Sequence, residues 1–270
     1  MMVREMNGKP IVLKLGGSVI TNKKKPSTPN LRAIERLANE ISQAKISSLI
    51  LVHGGGSFGH PVAERYSLAE GFRDRSQVMG FSETHRAMTE LNSLVMEALI
   101  SHNIPAVEVQ PSSCVVTKAG RITNMELNPL KKMLKMGFVP VLYGDAVLDS
   151  EKGFAILSGD QLVSSLAITL DAKRIIMGVD EDGLYTADPK TDPSAHLIDQ
   201  ITLEELKSLK HTIEGSKATD VTGGMLRKII ELTLAIEQDI QTLIVNATKS
   251  QRVYKALKGE KVIGTIIKKG

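Results

Sequence analysis

Short β-prone runs that end in glycine or turn residues, each followed by a longer helical pattern, recur along this chain and restrict what it can fold into. IVLKLGG (residues 11–17), SLILVHGGG (48–56) and RIIMGVDEDG (174–183) are the clearest, and AVEV (106–109), FVPVLYGD (138–145) and TLIVNA (242–247) read as further strands. Such alternation predicts a mainly parallel central sheet covered by helices on both faces, an α/β sandwich. It also places ligands at the carboxyl ends of the strands. The helices between them carry apolar stripes: Leu31, Ile34, Leu37, Ala38 and Ile41 on one, Leu226, Ile229, Ile230 and Leu234 on another. Thr202 three residues before Glu205 is a capping-box pattern. CVVTKAGRITNM (114–125) reads as a small hairpin turning at Ala119 and Gly120. With 42% hydrophobic residues over 270 positions, no internal repeat and no low-complexity linker, the expectation is a single domain over residues 1–270, with any lobe boundary near residue 170.

Several function classes are set aside by composition. A balance of 34 basic and 30 acidic residues without a long basic block suits small anions rather than a polyanion reader. Aromatic content of 3% and the absence of Trp leave few stacking platforms, so no nucleic-acid partner is expected. No run reaches the roughly 18 apolar residues of a membrane span, and the N-terminal stretch meets charge and glycine before an apolar core could form. Neither a membrane nor a secretory route is therefore expected. Cys114 is alone, which fits a buried structural thiol in a reducing cytoplasm and excludes cysteine-rich zinc sites.

The chemistry concentrates in the glycine clusters. GGGSFG (54–59) contains the spacing of a dinucleotide loop, but the region that should close a following strand with an acidic residue, RSQVMGFSETHRAM, reads as helix. The phosphate-loop pattern and the protein-kinase signatures are absent. Taken together, KLGGS (14–18), HGGGSFGH (53–60), LSGD (157–160), VDEDGLYTADP (179–189), GSK (215–217) and TGGM (222–225) can gather along one sheet edge. Turns of bare backbone N–H groups with two lysines suit a polyphosphate.

This collinear set resembles the amino-acid kinase superfamily over essentially the whole chain, and SFGHP after HGG resembles the isopentenyl phosphate kinases within it, with fosfomycin kinases sharing the histidine. The resemblance implies a three-layer α/β/α sandwich, with an acceptor-binding lobe over about residues 1–170 and a nucleotide-binding lobe over about residues 171–270. It implies ATP with Mg2+, isopentenyl phosphate as acceptor, and a homodimer. Residue by residue, it implies that Lys14 and Lys217 reach the transferring phosphoryl group and that Asp160 holds the lysines. Leu15, Gly16, Gly17 and Ser18 form the first phosphate-facing turn. Gly55, Ser57, Gly59 and Gly159 face the acceptor, and Gly56 the nucleotide. Asp180, Asp182, Gly183, Tyr185 and Asp188 surround the nucleoside, with Gly224 and Lys228 where the last glycine turn opens a helix. Glu181 departs from the commoner D-V-D-G pattern and leaves the adenine contacts open.

Phosphoryl transfer needs positioning and charge neutralisation rather than covalent help. A phosphate-monoester acceptor, with a second pKa of about 6, is largely dianionic at neutral pH and needs no general base. His60 is therefore expected as a donor that binds the acceptor phosphate, its ordinary pKa of about 6.5 leaving the imidazolium accessible and a neighbouring dianion raising it. His53 reads as structural, and His85, His102, His196 and His211 as surface or helix-end residues without metal-ligand spacing. Asp160 reads also as the N-cap of the helix that follows it. KKK (23–25) reads as a solvated loop, with a position over the phosphates as the alternative. No residues form a dedicated metal cage, so Mg2+ is expected on phosphate and water oxygens. Met79, Phe81 and Ile156 are the candidates for an apolar tail pocket. The competing readings are a kinase of the same fold for fosfomycin, an amino-acid carboxylate or a nucleoside monophosphate, and a non-catalytic nucleotide sensor. Lys14, Asp160 and Lys217 together speak against the sensor.

Overall fold

The computed structural model of the protein describes residues 8–187, 189, 191–208 and 223–270. Eight strands form the central sheet in the order β10 (Gln200–Thr202), β12 (Gly264–Lys268), β11 (Thr242–Asn246), β9 (Arg174–Val179), β1 (Ile11–Leu15), β2 (Leu49–His53), β6 (Val139–Tyr143) and β3 (Ala106–Glu108). All neighbours are parallel except β11 and β12. A second sheet runs β5 (Arg121–Met125), β4 (Val115–Lys118), β7 (Asp145–Asp149) and β8 (Gly153–Leu157). The six strands read from sequence are all present. β7, β8, β10 and β12 were not anticipated.

The pleat of β1 decides where the chemistry can go. Successive side chains of a strand face opposite ways. Ile11, Leu13 and Leu15 join one core, under the helices α2 (Leu31–Ala44), α4 (Ser76–Ser101) and α9 (Arg252–Lys258). Val12 joins the other, under α6 (Asn128–Met136), α7 (Gly159–Thr169) and α8 (Gly223–Glu237). Lys14 shares the face of Val12, which turns its ammonium toward α7. Buried on both faces, the sheet completes a three-layer α/β/α arrangement of the kind the alternation predicted.

Local signals explain the ends of the elements. Asn30 caps α2 through its side chain, which accepts from the Ala33 N–H. Thr202 and Glu205 make the expected reciprocal pair, with the Thr202 N–H donating to the carboxylate and the Glu205 N–H donating to the Thr202 hydroxyl. The 114–125 hairpin turns at Ala119 (φ 50°) and Gly120 (φ 80°), consistent with a turn that needs two left-handed residues. Two expectations are corrected. The N-cap of α7 is Ser158, whose hydroxyl accepts from the Gln161 N–H, so Asp160 sits inside the first turn, where its charge favours the helix dipole. On α8 the buried stripe is Met225, Ile229, Leu232 and Ile236, while Ile230 and Leu234 are exposed. The helix is rotated from the stripe read in the sequence, and Leu226 lies outside the described side chains.

Candidate active site

The carboxyl ends of β1, β2, β6 and β9 lie side by side, and the chain leaving each is tied to its neighbour. The Gly16 N–H donates to the Gly178 carbonyl at 2.7 Å, Gly54 to Leu15 at 3.0 Å, and Gly144 to His53 at 3.1 Å. Above this edge opens a cavity of about 410 Å3. α1 (Gly17–Ile20), α3 (Gly56–Arg65) and α7 begin at it. A helix start carries the positive end of its dipole, so these starts favour an anion, although the Ser57 N–H already donates to Thr21 Oγ1 and the Gln161 N–H to Ser158 Oγ.

The glycines serve a second purpose that sequence reasoning did not foresee. A Cβ on Gly17 would stand 2.6 Å from the Gly56 Cα, and one on Gly54 would stand 2.8 Å from the Gly17 N. Gly56 has φ +48° and lies against the Gly17 carbonyl. The turns after β1 and β2 therefore pack backbone against backbone, and three of the glycines are demanded by that contact. Gly55 and Gly59 instead back onto the Met88 sulfur of α4. Both also line the cavity.

Charge in the cavity is set by a buried pair. Lys14 is 5% exposed and its Nζ donates to Asp160 Oδ1 at 2.5 Å. Burial lowers the Lys14 pKa, Asp160 opposes that, and nearby Lys228 of α8 adds to the lowering. Gly159 makes the passage: a Cβ there would lie 3.2 Å from the Lys14 Cε. Lys14, Lys228 and Asp160 all line the cavity, as do Gly16, Gly17, Ser18, Gly56, Ser57 and His60. His60 is exposed at the mouth on α3. Its pKa is lowered, by desolvation first and by the Lys14 charge next, so the unliganded imidazole favours the neutral form.

Other expected residues stand apart from this cluster. Leu15 is in the core, on the face opposite Lys14. Asp180 does not line the cavity but grips two residues that do: Ser18 Oγ donates to its Oδ1 and Lys23 Nζ to its Oδ2, both at 2.9 Å. Burial opposes ionisation of Asp180, and the Lys23 and Ser18 hydrogen bonds prevail and hold its pKa low. The KKK loop thus contributes one lysine, Lys23, to the cavity wall rather than standing wholly in solvent. Asp182 accepts from Asn246 Nδ2 at 3.0 Å, and Gly183 packs on Thr265, beyond the cavity on the same loop as Tyr185. Lys217 and Asp188 lie outside the described residues, and Gly224 falls in the first turn of α8.

Of the tail candidates, Ile156 lines the cavity. Met79 is 59% exposed and Phe81 packs at a tilt against Phe154, and neither belongs to the wall. Met88, from the methionine-rich Phe72–Met96 segment that the sequence offered for this pocket, does line it, and Ala63, Thr84 and Asp145, which were overlooked, join it. The i, i+4 spacing of Thr84 and Met88 on a helix was the available signal. His85, expected at the surface, pairs instead with buried Asp145 at 3.0 Å. Its neighbour in function, His53, is structural as read: fully buried, stacked on Tyr143 at 5.3 Å and bonded to Asn92. Cys114 is half-buried, and desolvation pushes its thiol up to about 11, which suits an inert role. Among the described residues no group of three or more His, Cys, Asp or Glu could hold a metal ion. No helix among them is long and apolar enough to cross a membrane.

The amino acid kinase family model matches residues 9–246 of this chain. Isopentenyl phosphate kinase of Methanothermobacter thermautotrophicus is 44% identical over 265 residues, which cover 95% of this chain and 98% of that one. The chain belongs to the isopentenyl phosphate kinases. The enzyme of the same name from Methanocaldococcus jannaschii is 38% identical over 95% of this kinase and 97% of its own length. A crystal structure of an isopentenyl phosphate kinase superposes with a TM-score of 0.83 at 39% identity, covering 96% of this chain and all of that one. This kinase therefore has the amino-acid kinase fold throughout, with the cavity at the expected sheet edge.

Proposed function

We propose that this kinase transfers the γ-phosphoryl group of ATP to isopentenyl phosphate. An oxygen of the acceptor phosphate attacks the γ-phosphorus, the bond to the ADP oxygen breaks with its electron pair, and isopentenyl diphosphate leaves with ADP. The observation that carries this is a single cavity in which an anion end and an apolar end meet. Lys14, Lys228, His60 and the starts of α3 and α7 supply positive charge at one end, and Ala63 and Ile156 line the other.

Each part has a role in this scheme. Lys14 and Lys217 neutralise the transferred group, the former fixed by Asp160 at 2.5 Å. Charge placed in a site shielded from water stabilises a transition state far more than it would in bulk solvent. His60 donates to the acceptor phosphate and takes up a proton as the dianion arrives, since the opposite charge offsets the desolvation that lowers its pKa in the free enzyme. Gly16, Gly17, Ser18 and Gly56 hold the β- and γ-phosphates, and Gly55, Ser57, Gly59 and Gly159 the acceptor. Asp180, Asp182, Gly183, Tyr185, Asp188 and Gly224 belong to the nucleotide lobe. Mg2+, expected as the companion of ATP, would be held mainly by phosphate and water oxygens. A homodimer, expected from the resemblance, in the reducing cytoplasm that the lone Cys114 fits, completes the scheme, and sedimentation reads its mass.

Turnover of ATP by the purified chain with isopentenyl phosphate, run beside fosfomycin, glutamate, N-acetylglutamate and UMP and followed by phosphorus NMR, tests the proposal. A new diphosphate doublet with isopentenyl phosphate alone is the expected result. Turnover confined to another acceptor would overturn it.

A further inference from the structure

Two buried polar groups of the cavity wall have no part in phosphoryl transfer. Thr84 of α4 is 2% exposed and its Oγ1 has no hydrogen-bond partner among the described residues. Asp145, 1% exposed at the head of β7, accepts from the Ala146 N–H at 2.9 Å and pairs with His85 Nδ1 at 3.0 Å. Thr84 and Asp145 line the same cavity.

Helix packing fixes which end of the cavity this is. Gly59 of α3 backs onto Met88 of α4, and Gly80 of α4 backs onto the Tyr66 ring just past α3, so the two helices run antiparallel. Thr84, one turn before Met88, is thus level with Ala63, one turn beyond Gly59. The anion end is the start of α3, from Gly55 to His60. Thr84 belongs to the far end, with Ala63 and Ile156.

A pure hydrocarbon tail gives Thr84 nothing to bond. A desolvated hydroxyl without a partner is costly, and valine has the same shape without that cost. A carboxylate has about four acceptor positions, and Asp145 uses three of them on the Ala146 N–H, His85 Nδ1 and Ser112. One donor and acceptor hydroxyl, and one carboxylate with a remaining acceptor position, match a substrate hydroxyl that accepts from the first and donates to the second.

We infer that the tail end of the acceptor cavity is a hydrogen-bonding subsite made by Thr84 and Asp145, and that the enzyme also phosphorylates short branched-alkyl monophosphates with a hydroxyl on the tail. The inference rests on the acceptor assignment proposed above. The step is the same, with the acceptor phosphate oxygen bonding to the γ-phosphorus as the ADP oxygen leaves, and the tail hydroxyl is unchanged.

The test compares kcat/KM for isopentenyl phosphate and for 4-hydroxy-3-methylbutyl phosphate in the wild type, Thr84→Val and Thr84→Ser, with phosphorus NMR of the products and a thermal melt of each variant. Both acceptors should give a diphosphate. The ratio of hydroxylated to hydrocarbon kcat/KM should fall at least tenfold in Thr84→Val and stay within about threefold in Thr84→Ser, because only the first removes the hydroxyl. Turnover of isopentenyl phosphate alone by the wild type, or a ratio that Thr84→Val leaves in place, would overturn the subsite. Silence with both acceptors would instead overturn the acceptor assignment itself, and this inference with it.

Discussion

Replacing Gly17 by alanine should damage both stability and turnover, and the sizes follow from the contact between the two glycine turns. The new methyl would sit 2.6 Å from the Gly56 Cα, about 0.8 Å inside the 3.4 Å of ordinary contact. Every atom it meets within 3.4 Å is backbone, so no side chain can swing aside. Overpacking of this kind costs about 2–3 kcal/mol, which for a chain of this size lowers Tm by roughly 4–10 °C. The strain is relieved by parting the turns after β1 and β2, which moves the cavity-lining groups of both turns relative to one another by most of an ångström. A displacement of about 1 Å in a reacting geometry costs on the order of 100-fold, so kcat should fall by about 30- to 100-fold. Coupled-enzyme detection of ADP together with thermal melts measures both. Gly59→Ala is the control: its methyl meets only the Met88 side chain, a flexible thioether 2.7 Å away, and should cost under about 1 kcal/mol. A Gly17→Ala enzyme within threefold of wild-type kcat and within 2 °C in Tm, judged against the estimate above, would refute the reasoning.

Three further outcomes are expected. His60→Ala should lower kcat by at least about 100-fold with an unchanged melt, and calorimetry in buffers of different ionisation enthalpy should find proton uptake on acceptor binding in the wild type but not in the variant. Uptake that survives in the variant assigns the proton elsewhere. His53 is wholly buried and its pKa is lowered by desolvation, so the unfolded chain binds a proton below about pH 6.5 that the native state refuses. Its contribution is complete above that pH and declines as pH falls, by up to about 1.4 kcal/mol per pH unit. Urea unfolding of wild type and His53→Gln between pH 7.5 and 5.5 should show the smaller decline in the variant, and parallel declines would exclude the effect. Asp160→Asn removes the counter-charge that raises the Lys14 pKa, costing about 3 kcal/mol. The alkaline limb of kcat should then move to lower pH, and an unmoved limb would mean that Lys14 is not the group titrating.

Much of this was legible in the chain because periodicity survives burial. The six strands with apolar runs, the 119–120 turn and the Thr202–Glu205 pair all follow from local rules that no tertiary contact overrode. The clustering of Lys14, Gly17, Gly56, His60 and Asp160 was legible for a different reason, since parallel strands must end at one edge. What escaped depends on geometry between elements. Nothing local says that Gly17 faces Gly56, that α8 turns Ile229 inward in place of Ile230, or that His85 reaches Asp145 sixty positions away. Met79 and Thr84 sit on the same helix, and only its packing on α3 decides which of them meets the cavity. Short strands such as β7 and β8 were missed because each has a polar or glycine end and gains its stability from pairing with the other.

The glycine-to-glycine contact also divides the enzyme into a part that can diversify and a part that cannot. Because the turns after β1 and β2 meet through main chain, a side chain gained by either one must be answered by a rearrangement of the other, so single substitutions there lead nowhere useful. The wall built by Ala63, Thr84, Met88 and Ile156 is made of side chains, each replaceable on its own. New acceptors should therefore be reached by changing α3, α4 and β8 one residue at a time while the glycine turns are inherited intact, which makes directed evolution of tail preference a search over few positions.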